Sequence, residues 1–241
     1  SLIENQNGSP SQCISLFNSF LLMSMPDLAL EVLTNAKKKF KSYPFNFQEA
    51  DLYAQKQEKE KMIESYLSLL DKHDYYHEAV QKALLRRLAL ESEESKEFQL
   101  LKVALFERAK KESSGVIFSE MLIWLYSQVD NFEGVFNQVV AVDIRSKANG
   151  YRLFDFGMVC RENKDYQTAI RAFQEAMTIS SSDELKMKSQ VGILNVGYIK
   201  VAKLKTYTVE ELQKIISHYE EVLENMETKL LKPFRFNRYA K

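Results

Sequence analysis

Glycine and proline are scarce in this sequence, at 7 and 4 of 241 residues. Glycine supplies the positive-φ turns on which hairpin-rich all-β chains and phosphate-cradling loops depend, so both architectures are disfavoured. Few turns imply long elements, and long elements imply helices. Histidine is sparse too, with His73, His77 and His218 the full complement. The two cysteines, Cys13 and Cys160, lie far apart where an apolar residue would fit, so they read as buried free thiols and leave the redox compartment open. No stretch approaches the ~18 consecutive apolar residues of a membrane span, so no membrane insertion is expected. No signal peptide is visible, but the sequence starts at Ser1, so a soluble protein in either the periplasm or cell envelope or the cytoplasm is expected. Charge of one sign is lacking as well. Lys+Arg and Asp+Glu both total 33, and without a basic field no nucleic-acid partner is expected. The longest basic run, Lys37-Lys38-Lys39-Phe40-Lys41, reads as the solvated C-terminal end of a helix.

What is present is helical periodicity at a hydrophobic fraction of 45%. Residues 1–11 are polar and read as a loose or extraneous lead. Leu16, Phe17 and Phe20, then Ala29, Leu30, Leu33 and Ala36, mark two amphipathic helices, with Pro26 in the first turn of the second. Further helix pairs are expected over 45–55 with 58–71, 75–90 with 95–111, 115–129 with 132–142, 147–162 with 166–179, and 183–203 with 209–226. Thr208 and Glu211 form a capping box before the last of these. Short polar connections such as Asn163-Lys164-Asp165 require antiparallel packing. The tail 229–241 interleaves basic and aromatic residues around Pro233 and reads as a capping segment or the start of a further element.

The fifth pair carries a more specific signal: Leu153, Phe156-Gly157 and Cys160, then Ala169, Phe173 and Ala176, with Asp165-Tyr166 opening the second helix. Thirty-four residues upstream the frame recurs as Ser119, Leu122, Ile123, Tyr126, Val135 and Val139. Small residues at Gly157 and Ala169 let paired helices approach, and Phe156 and Phe173 fill the space beside them. This frame resembles the tetratricopeptide repeat over about Gln12 to Met226. The run Met121 to Tyr126, followed by Asp130-Asn131-Phe132, is similar to large repeat proteins of Bacteroidetes, which lend no activity to transfer. The resemblance implies an all-α fold, a right-handed α-solenoid of about six antiparallel helix pairs spanning 12–228 and belonging to a longer solenoid chain.

No catalytic, metal or cofactor site is expected. His73 and His77 are four apart, but no third ligand accompanies them, and surface histidines at a helix start are the simpler reading. Neither cysteine has a neighbouring histidine, and phosphate loops and nucleophile elbows are missing. The resemblance implies instead a protein or peptide partner bound along the first helix of each pair. The groove-facing positions are Ile117, Glu120, Trp124, Tyr151, Phe154, Met158 and Arg161, joined by Ile193 and Val196 of the sixth pair. The alternative is that Trp124 and Phe154 pack between adjacent repeats. The Lys/Asn/Arg clamp of chaperone-binding relatives is missing, since Glu120, Trp124, Phe154 and Met158 stand at its positions. The competing class is a helical enzyme or regulatory domain acting on a small molecule.

Overall fold

A computed structural model describes residues 8–111, 115–204, 208–210, 213–214, 216–220 and 224, so the expected cap at 229–241 and most of the lead lie outside the described residues. The helices are α1 (Pro10–Leu22), α2 (Pro26–Lys39), α3 (Asn46–Gln55), α4 (Lys59–Leu70), α5 (His77–Arg87), α6 (Lys96–Ala109), α7 (Ile117–Ser127), α8 (Phe132–Ser146), α9 (Tyr151–Glu162), α10 (Tyr166–Ile179) and α11 (Asp183–Leu204). No strand occurs among the described residues. The fold is all-α, and within each unit most helices pack on a neighbour in sequence. The chain divides into two compact units, Ser1–Val129 and Asp130–Lys241.

Helix starts follow from local chemistry. Asn131, Asp165 and Ser95 accept through their side chains from the backbone N–H groups of Gly134, Thr168 and Phe98 at 2.7, 3.2 and 3.1 Å. The Gln12 side chain accepts from Ser9 N–H at 3.0 Å, so α1 begins inside the stretch expected as a lead. Helix ends repeat one device. Met25, Glu58 and Asp165 each donate from N–H to the carbonyl five residues back, on Phe20, Tyr53 and Cys160, all at 2.9 Å. The residue before each donor is left-handed: Ser24 at φ 57, Gln57 at φ 59 and Lys164 at φ 67. This is the Schellman closure, here made without glycine.

In the first unit, α1 pairs with α2 and α3 with α4. Phe17, Ala29, Val32, Leu33 and Ala36 form the core of the first pair, with Leu16 and Phe20 partly buried against it. Leu30, expected on this face, is 43% exposed, and Val32 takes its place. The third expected pair is corrected. Helix α5 stops at Arg87, and Leu88 continues in extended backbone at φ -122, ψ 142. Leu88 and Leu90 are buried in this connection, and α6 packs on α4 and α7 rather than along α5. Leu101 and Leu105 of α6 are fully buried, in 34-residue register with Val135/Val139 and Ala169/Phe173. The buried Arg108 ties α6 to α4 through Glu64 at 2.5 Å and Asp71 at 3.3 Å, its guanidinium over Phe118. The fourth expected pair, α7 with α8, is divided between the two units.

In the second unit α9 packs on α8, α10 and α11. The Phe173 ring is fully buried between two helix-interior glycines. A Cβ added at Gly157 would lie 2.8 Å from the ring, and one at Gly192 also 2.8 Å. Asp143, fully buried near the end of α8, accepts from Gly150 N–H at 2.8 Å and Arg152 N–H at 3.1 Å. Gly150 has no side chain with which to cap α9, so the preceding helix provides the acceptor. Its φ of 88 brings its backbone against the Ala176 carbonyl, which a Cβ would approach to 2.7 Å.

Candidate functional site

The expected groove residues fall on one helical stripe in each of two helices. On α9, Tyr151, Phe154, Met158 and Arg161 recur at intervals of three and four, opposite the buried stripe Leu153, Phe156, Gly157 and Cys160. On α7, Ile117, Glu120 and Trp124 hold the equivalent positions. The first set belongs to the second unit and the other to the first. Tyr151 is the most open, at 46% exposure, while the others are half-buried.

The half-buried members are not equivalent. The Phe154 ring packs on Phe173 with centroids 5.6 Å apart, so it serves the packing of its own hairpin. Trp124 is half-buried, with its carbonyl accepting from Gln128 Nε2 at 3.0 Å. Ile117 and Glu120 line a cavity of about 390 Å³ together with Leu70, Asp71 and Phe118. Arg161 approaches Glu162 at 3.9 Å. Ile193 does not join the α9 stripe. It opens onto a cavity of about 580 Å³ whose other wall includes Gln174 and Met177 of α10, with His218 at its edge. Val196 is fully buried and is no groove residue.

The remaining candidates for chemistry have structural surroundings. Cys13 and Cys160 are both buried free thiols, as the sequence implied. Burial, with the Asp165 charge adding to it, pushes the Cys160 thiol up to about 12, so it is protonated at neutral pH and is a poor nucleophile. His73 precedes a single 3-10 turn, Asp74–Tyr76, and His77 opens α5, so the two imidazoles do not share a helix face. Among the described residues, no three His, Cys, Asp or Glu side chains converge where they could hold a metal ion. No described helix is long and apolar enough to cross a membrane. The basic run ends α2 as expected, and Lys37 pairs with Glu49 at 3.0 Å.

One feature escaped sequence reasoning. Lys59, Arg86, Arg87 and Lys96 converge on a cavity of about 530 Å³ in the first unit. They come from the start of α4, the end of α5 and the start of α6, and each alone reads as part of a solvated face. No local motif joins them. No family model matches this sequence, and no curated protein is significantly similar to it.

Proposed function

We propose that the chain is a non-catalytic scaffold of the tetratricopeptide type, which holds a protein or peptide partner against the first helices of its repeats. In this reading the helix pairs continue as a right-handed solenoid of about six. The observation that supports it is the 34-residue packing frame. Ser119/Leu153, Leu122/Phe156, Tyr126/Cys160, Val135/Ala169 and Val139/Phe173 are buried in both members of each couple. Such a frame leaves the opposite stripe of each first helix for a partner, and here that stripe carries Trp124 and Tyr151. Aromatic residues of this kind dominate affinity at protein interfaces.

The test is affinity capture with the immobilised chain. Trp124→Ala or Tyr151→Ala should each abolish retention of a partner protein without loss of helical circular dichroism, and Lys38→Ala should retain it. Because Trp124 and Tyr151 lie in different units, the two variants interrogate each stripe separately. Retention that survives both changes rejects the stripe as the binding surface. Turnover of a small molecule with no partner retained rejects the scaffold reading altogether.

A further inference from the structure

The basic cavity of the first unit is a built depression with a defined charge. Its volume of about 530 Å³ falls within the roughly 300–1,000 Å³ of ligand clefts. Four cations line it, Lys59, Arg86, Arg87 and Lys96, against the carboxylates Glu60 and Glu97. Two of the cations are already neutralised. Lys59 pairs with Glu97, whose carboxyl is held below its ordinary range chiefly by that hydrogen bond, and Arg87 pairs with Asp51 at 2.6 Å. Arg86 and Lys96 differ. Among the described residues neither has a carboxylate within ion-pair distance, although Arg86 acts on the Asp51 carboxylate and Lys96 on that of Glu97 through space, and Arg86 donates to the Lys82 carbonyl at 3.3 Å. The wall also carries the apolar Met62 and Leu100.

We propose that this cavity binds an acidic peptide segment of a protein partner, with Arg86 and Lys96 receiving its carboxylates. The guanidinium and ammonium donors offer charge-assisted hydrogen bonds, the strong class for a carboxylate. Arg86 and Arg87 also wall a neighbouring cavity of about 300 Å³ beside Phe47, Tyr66 and Ala83, where Asp51 is already held by Arg87, so the fitting peptide carries an apolar side chain next to its acidic ones. Nucleic acid fits less well. The net charge of zero gives no field to gather a phosphate backbone. The site is independent of the Trp124 and Tyr151 stripes.

The probe is a fluorescein-labelled peptide of glutamates bearing one phenylalanine, titrated with the full chain and followed by anisotropy. Saturable binding at low salt is expected, weakening as ionic strength rises because the cations are exposed. Arg86→Glu with Lys96→Glu should lower affinity at least tenfold, while Lys38→Glu with Lys41→Glu and, separately, Trp124→Ala should leave it unchanged. Should the charge-reversed chain lose its helical signal, Arg86→Gln with Lys96→Gln gives the same reading at smaller amplitude. The proposal is overturned by no saturable binding, by equal binding to the changed chains, or by an oligonucleotide that binds as tightly and is lost in the same variants.

Discussion

Gly157→Leu should destabilise the chain by more than about 3 kcal/mol, the upper end of ordinary overpacking. The physical cause is the position of Phe173. Its ring is fully buried, and Gly157 and Gly192 press on it from two helices, so it has no free side into which to retreat. Even Gly157→Ala, which gains about 1 kcal/mol of helix propensity, should come out net destabilising. Gly197 is the control, because nothing lies within 4 Å of a Cβ built there. There Gly→Ala should stabilise by up to about 1 kcal/mol. Phe173→Ala should cost about 3–5 kcal/mol by leaving a cavity. Combining Gly157→Ala with Phe173→Leu should cost less than the sum of the two, since the smaller side chain relieves the clash. Urea midpoints decide the matter. Additive costs, or an unchanged midpoint for Gly157→Leu, would show that the glycines and the ring do not share one contact.

Asp143→Ala should cost about 2–4 kcal/mol, with one buried donor stranded and another partly so. A carboxylate near the C-terminal end of α8 is disfavoured by the helix dipole, so another interaction must hold it there. That interaction is the pair of N–H groups at the start of α9, from Gly150 and Arg152. Asp143→Asn keeps one carbonyl acceptor and should cost less than half as much. Thermal unfolding of the two variants measures the difference. Equal costs for both would mean that charge, rather than acceptor number, holds the α8–α9 turn.

Much of the helical layout was legible because the apolar residues keep a period near 3.6, and the Gly157/Phe173 contact because the repeat frame includes both. The errors have particular causes. Leu88 and Leu90 continue the apolar pattern of α5, but their burial is in an extended connection. Periodicity alone does not separate that from another helical turn. The register of Leu101 and Leu105 with Val135 and Val139 puts α6 in the frame as the second helix of a pair, but it does not reveal that α6 packs on α4 and α7 rather than along α5. Gly192 was not legible because it contacts Phe173 from a helix without the motif. The basic cavity was not legible either, because its cations are brought together only by the packing of α4, α5 and α6. Ile193 lies on the expected helix, but the cavity it lines is walled by α10.

Small-angle scattering of the monomeric chain tests the proposed solenoid most directly. A compact globule of 241 residues has a radius of gyration near ~18 Å. Helix pairs stacked one upon the next predict a radius well above that value and a skewed, long-tailed distance distribution. A radius at the compact limit, with a symmetric distribution, would contradict the account.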